Sequence, residues 1–223
     1  MSEKHGAAWG RAAAHEPRWP ASVAVLAALA LYIVLPKELT VGPQWLAPAL
    51  ELILLVPLAV VGSHPSTLDQ PWVRQLAIAL IAIVNAANVA SLALLVHALF
   101  AHGSQMVGQR LFLSSASIWS TNVIVYALWF WELDRGGPRA RLRSRHQPPD
   151  FLFPQMVNPD SAPQGWSPQF IDYLYVAFTN ATAFSPTDTM PLTPWAKTLM
   201  GIQSLVSLLT VALVAARAVN ILA

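Results

Sequence analysis

FIDYLYVAFTNATAFSPTDTMPLTPWAK, residues Phe170 to Lys197, decides how the chain is read. An amphipathic aromatic stretch gives way to a short polar turn and then to an apolar run that reaches the C-terminus, which is the outline of a pore loop. Ser167 to Thr182 fits a helix of about four turns, with Ser167 as N-cap and Tyr173, Tyr175 and Phe178 as membrane-level aromatics. Such a helix is too short to cross a bilayer, and non-helical backbone at membrane depth is tolerated only where it is buried in protein or lines water. The expectation is therefore a re-entrant or interfacial helix with a turn through Ala183 to Thr189. Asn180, Thr182, Ser185, Thr187 and Asp188 are the candidate ion contacts, because their oxygens can replace a cation's hydration shell and the aspartate favours cations over anions. The stretch departs from the TVGYG run of potassium-selective filters: Thr182, Ala183, Phe184, Ser185, Pro186, Thr187, Asp188 has no glycine, and Pro186 fixes its own φ. Selective potassium conduction by the known geometry is not expected. Turn chemistry alone also accounts for these residue types, as a cap leading into a last crossing.

The rest of the chain sets the environment in which that stretch sits. Of 223 residues, 55% are apolar and 11% charged, with a mean hydropathy of +0.49, so the chain cannot cover itself with a water-compatible surface. It reads as an integral membrane protein. No cysteine is present, which excludes disulfides, thiolate metal sites and thiol catalysis. The pI of 9.2 reflects arginines beside membrane segments, where positive charge sets orientation, and does not indicate nucleic-acid binding.

Five segments read as membrane helices: Ala21 to Leu35, Leu46 to Gly62, Leu76 to Phe100, Leu111 to Trp131, and Pro194 to the C-terminus. The first is short and needs Trp19 and Tyr32 at the interfaces. The second carries Pro48, Glu51 and Pro57, so a kink is expected there. The expected fold class is all-α, a polytopic membrane helix bundle of about five transmembrane helices plus one re-entrant or interfacial helix before the last. Residues 1–20 form a cytoplasmic N-terminal segment, 21–134 a four-helix membrane region, 135–167 an Arg- and Pro-rich connection, and 168–223 the pore-loop-like unit. Lys4, Arg11 and Arg18 ahead of an apolar run with Ala28 and Ala30 imitate a signal peptide. The long basic lead and the tight link through Pro36, Gly42 and Pro43 favour an uncleaved anchor helix.

Counting positive charges along five crossings puts the N-terminus, the loop from Ser63 to Gln75 and the region from Asp134 to Thr193 on one side, with nearly all the basic residues. The positive-inside rule makes that side cytoplasmic, with Arg217 weakly opposed. The selectivity loops of potassium channels face outward, so one of three things follows. The loop is inverted, or one early segment does not cross, or the stretch only looks like a pore loop.

Within the helices, polar residues recur on single faces: Asn85, Asn88 and Ser91, then Ser114, Ser117 and Thr121, then Gly201, Ser204 and Ser207. With the small-residue spacing of Ala82, Ala86 and Ala90, these faces read as interhelical contacts or as the walls of a polar cavity. Glu51, Asn85, Asn88 and His97 are the candidate intramembrane polar residues, and an acid in hydrocarbon is a functional suspect unless paired or watered. Past Trp129, Phe130 and Trp131 the fourth helix ends in a charge cluster and Gly136-Gly137-Pro138. Arg135, Arg139, Arg141, Arg143 and Arg145 are expected at anionic lipid headgroups. Gln147 to Ser167, with Phe151, Phe153, Met156 and Trp166, is too apolar for a solvated linker and is expected to lie on the membrane or over the polar loop. No metal-ligand spacing, phosphate loop or nucleophile elbow is present, so neither a catalytic set, a metal nor another cofactor is expected.

The segments LPKELTVGP, WELDRGGP, PDFLFPQM, DYLYVAFTNATAFSPTDTMPL and AARAVNIL resemble a family of bacterial multi-pass membrane proteins classed as domain of unknown function 1345. The resemblance spans most of the chain and is strongest after Glu132. It implies a bacterial inner-membrane location and a C-terminal half similar in outline to the two-helix pore module of ion channels, and it implies no established activity. Three functions stand beside one another: an oligomeric pore-loop cation channel, a non-conducting scaffold or accessory subunit that holds a partner through the arginine loop, and a small-solute or proton-coupled transporter built on Glu51 and the asparagine stripe. The expected partners are the lipid bilayer, monovalent cations and further copies of the chain.

Overall fold

The computed structural model of the chain describes residues 18–62, 71–101, 108–143, 148–158, 160, 162–163, 166–183 and 188–222. Three helices are long and apolar enough to cross a membrane: α3 (Pro71–Ala101), α4 (Gly108–Leu133) and α8 (Pro194–Leu222). Two shorter apolar helices, α1 (Trp19–Val34) and α2 (Leu46–Gly62), come before them. At 16 and 17 residues, these reach about 24–26 Å, short of a hydrocarbon core of roughly 30 Å. Helix α2 runs on through Pro57, whose missing N–H leaves one carbonyl of the preceding turn without its helical donor.

Between α4 and α8 lie α5 (Pro138–Arg143), α6 (Pro154–Val157) and α7 (Phe170–Ala183). The architecture is all-α apart from a two-residue ladder, in which β1 (Phe151–Leu152) pairs antiparallel with β2 (Met190–Pro191). Large apolar side chains such as Val89, Phe100, Ile202, Leu205 and Leu208 stay uncovered along α3 and α8, a surface suited to lipid. Helix α4 is the opposite case and packs against α1, α3, α7 and α8.

Contacts at the helix ends fix the helix directions. Arg18, just before α1, and Arg74, early in α3, both meet Glu132 at the end of α4, and Trp195 at the start of α8 meets Asp150, which accepts the Arg135 N–H just past that same end. Helices α1, α3 and α8 therefore all run antiparallel to α4. At the opposite end Tyr32, Leu35, Leu39, Leu95 and Leu111 form a separate apolar cluster.

The end of α4 is set by backbone conformation. Arg135, Gly136 and Gly137 take φ of 51°, 82° and 101°, and a Cβ at position 137 would stand 2.9 Å from the Glu132 carbonyl oxygen, so glycine is required there. The connection that follows does not drift into solvent. Phe151, Phe153 and Met156 are buried in the main core, where Phe151 and Phe153 meet the Tyr173 ring edge to face and Phe153 also meets Trp166. The helix expected from Ser167 begins three residues later, because Asp172 supplies the cap: its carboxylate accepts the Gln169 N–H at 2.7 Å. That is the reach-back half of a capping box.

Candidate functional site

Two layers of polar contacts hold α7 between α4 and α8. The outer layer gathers around Asp134, the first residue past α4, whose side chain is fully buried. Its Oδ2 accepts the Tyr173 hydroxyl at 2.5 Å and Arg135 Nε at 3.3 Å, and its Oδ1 accepts the Asp150 N–H at 2.9 Å. Asp150 reciprocates: its Oδ2 accepts the Arg135 N–H at 2.7 Å and its Oδ1 accepts Trp195 Nε1 at 2.9 Å. The Asp150 carbonyl takes the Leu192 N–H at 2.8 Å, continuing the β1–β2 ladder. Two carboxylates thus tie the end of α4, the start of α7, the ladder and the start of α8 into one unit. Burial pushes the Tyr173 phenol well above its usual range and keeps it a donor.

Arg141 closes the same layer from below. Its Nη1 donates to the carbonyls of Trp131 at 2.7 Å and Asp134 at 3.1 Å, and its guanidinium lies 5.2 Å from the Tyr173 ring centroid. A cation on the last carbonyls of a helix satisfies orphan acceptors and complements the negative end of the dipole. On the other flank, Glu132 lies between Arg18 at 3.4 Å and Arg74 at 3.9 Å, with the Arg18 guanidinium 5.7 Å from the Trp131 ring centroid.

The inner layer lies further along α7 and α8. Asn180 Nδ2 donates to the Met200 carbonyl at 2.9 Å and to Gln203 Oε1 at 2.8 Å, while Gln203 Nε2 donates to the Ala177 carbonyl at 2.8 Å. Ser204 and Ser207 donate to the Asn180 and Ala181 carbonyls at 3.4 and 2.6 Å, and Trp119 Nε1 donates to the Ser207 hydroxyl at 2.7 Å. Asn122 Nδ2 reaches the Gln203 carbonyl at 3.3 Å. Two of the last four carbonyls of α7, which a helix leaves without internal partners, are therefore met by side chains of α8. From Trp195 to Ser207, α8 advances about 18 Å, so α7 stops well inside the bundle, while Met190 and Pro191 are back beside β1 at the end where α7 began. The chain enters and leaves at one end.

These placements sort the candidate residues. Asn180 is buried and structural, and Thr182 is exposed with its hydroxyl turned back to the Phe178 carbonyl at 3.0 Å. Asp188 is exposed where the chain returns, and Ser185, Thr187 and Arg145 lie outside the described residues. Glu51 and Asn88 are buried, Asn85 is half-buried, and His97 is exposed. The lipid-headgroup expectation does not describe Arg135 and Arg141, which are 7% and 1% exposed and bonded at the end of α4, because the left-handed turn at Arg135 folds the chain back under that helix. Arg139 is half-buried, and of Arg143 only the helical backbone is described.

Sequence reasoning missed Asp134, Asp150, Trp119, Asn122 and Gln203. Gln203 had a usable signal: Ala196, Met200, Gln203, Ser207 and Thr210 follow a single helical stripe, and an amide is costly on such a stripe unless it is bonded. No metal-binding group of three or more acidic or histidine side chains exists among the described residues. Comparisons with protein-family models, with curated proteins and with solved structures found no match.

Proposed function

We propose that α4, α7 and α8 form a pore-loop unit that conducts monovalent cations when several copies of the chain share an axis. The observation that carries this reading is the course of α7, which enters at one end of the bundle, stops within it and is followed by a return to the same end. The negative pole of α7 lies at membrane depth, which favours a cation there. Thr182, Ala183 and Asp188 are exposed, so one chain does not enclose a path past them, and facing copies would. The filter would be of an unusual kind, without the glycine-lined carbonyl row.

In this reading α1 and α2 also cross, giving five crossings, and the end holding Arg18, Arg74, Arg135, Arg139 and Arg141 faces the cytoplasm of a bacterial inner membrane. The loop is then inverted relative to potassium channels. The test is bilayer recording of the reconstituted chain under a salt gradient. A cation-selective reversal potential is expected, with unitary conductance lowered about twofold or more by Asp188→Asn at unchanged thermal stability. A folded, incorporated chain that stays silent at both polarities in potassium and sodium salts would sink the proposal.

A further inference from the structure

An open cavity of about 970 Å³ lies at the end of the bundle where α4 stops and α8 starts. Its wall takes Arg74 from α3, Leu133 and Arg135 at the end of α4, and Thr193, Trp195 and Leu199 at the start of α8. Arg74 crosses to this wall beside Gly137, with its Nε 3.7 Å from the place a Cβ would take there. Arg135 reaches it through its left-handed backbone, at φ 51°.

Each arginine touches a carboxylate through Nε, Arg74 on Glu132 at 3.9 Å and Arg135 on Asp134 at 3.3 Å. The Arg135 side chain is 4% exposed, yet its Nη2 is buried with no hydrogen-bond partner among the described residues, and Thr193 Oγ1 is in the same condition. The carboxylate in the wall, Asp150, is already engaged at both oxygens, by Trp195 Nε1 and by the Arg135 N–H. Thr193 directly precedes α8, whose first N–H groups lack partners within the helix and whose dipole is positive at this end. A buried donor left unmet carries a cost that a suitable acceptor removes. Guanidiniums and helix N-termini only donate, so the set calls for an anion rich in acceptor oxygens. A phosphate can serve two guanidiniums, a hydroxyl and a helix end together. The cavity is larger than one phosphate ion needs, and Leu133, Trp195 and Leu199 give it an apolar side suited to an organic group.

We propose that this cavity binds a phosphate ester, with the phosphate held by Arg74, Arg135 and Thr193 ahead of α8 and the organic part against Leu133, Trp195 and Leu199. The ester is a phospholipid headgroup or a small soluble compound, since both present the same group. The site goes beyond the pore-loop reading and does not depend on conduction. The absence of cysteine makes the test direct. Thr198, exposed and part of the wall, becomes the reporter as Thr198→Cys, alkylated by N-ethylmaleimide in a maltoside detergent that carries no phosphate. Lys197→Cys, exposed and outside the wall, is the control. Glycerol 3-phosphate is the soluble probe, with glycerol as its blank, and phosphatidylglycerol in mixed micelles is the lipid probe, with diacylglycerol as its blank.

The expected result is that a phosphate probe slows alkylation at 198 about fivefold or more at saturation and leaves 197 unchanged. Protection by phosphatidylglycerol alone assigns a lipid headgroup, and protection by glycerol 3-phosphate assigns a soluble ester. Adding Arg74→Gln, at a side chain 45% exposed, should raise the protecting concentration about tenfold or more. An unchanged thermal midpoint certifies that the variants are folded. No protection by either probe, equal slowing by glycerol or diacylglycerol, equal slowing at 197, or protection indifferent to Arg74→Gln overturns the proposal.

Discussion

Replacing Asp134 by alanine should loosen the whole C-terminal unit, because one side chain collects the hydrogen bonds that join three elements. The carboxylate accepts from the Tyr173 hydroxyl, the Asp150 backbone and Arg135 Nε, all at a site with no solvent exposure. Arg135, with its side chain 4% exposed, would be left as a buried charge without its partner, a loss of about 3–5 kcal/mol. The orphaned Tyr173 hydroxyl adds about 1 kcal/mol. The net expected loss is about 4 kcal/mol, since Asp150 can take over part of the arginine's charge. Tyr173→Phe alone should cost about 1–2 kcal/mol, and the double variant should show a coupling of about 1 kcal/mol or more, as neighbours in one network do. Equilibrium unfolding in mixed micelles measures all three. A loss below about 1 kcal/mol for Asp134→Ala, or strict additivity with Tyr173→Phe, would refute the clamp as the anchor of α7.

Two further changes test the other contacts of this unit. Gly137→Ala forces a side chain onto a backbone at φ 101° with the Glu132 carbonyl oxygen 2.9 Å from its Cβ, and should cost about 2–3 kcal/mol by the same unfolding measurement. Gln203→Leu removes the donor to the Ala177 carbonyl and the acceptor for Asn180 Nδ2 while keeping the volume. It should lower stability by about 2 kcal/mol and speed amide exchange in the last turn of α7, measured by hydrogen–deuterium exchange.

Much of this arrangement was legible before any coordinates. The three long helices follow from apolar runs that no water-facing surface could tolerate, and the short amphipathic helix ahead of α8 follows from aromatic spacing between Tyr173 and Phe178. The cap was misassigned because Ser167 is a stronger N-cap residue than Gln169, and the deciding interaction is a carboxylate reaching back from Asp172. Arg135 and Arg141 depart from the headgroup expectation for a deeper reason. Basic residues beside a membrane helix are ordinarily solvated, and nothing local reveals that Arg135 turns left-handed and that Arg141 comes to rest on the carbonyls of Trp131 and Asp134. Likewise the exchange between Asp134 and Asp150 spans sixteen residues and lies beside the β1–β2 ladder. Such long-range pairings have no periodicity to announce them.

The proposed pore loop requires that α7 end within the bundle and that the chain come back to the end it left. Spin labels on single cysteines at Ile171, Tyr175, Phe178 and Thr182, the exposed face of α7, and at Asp188 would report depth through oxygen and nickel accessibility in bilayers. Depth should increase steadily from 171 to 182 and return at 188 to water on the same side as a label at Arg139. Depth that stays constant along α7, or a label at 188 that reports from the side opposite Arg139, would contradict it.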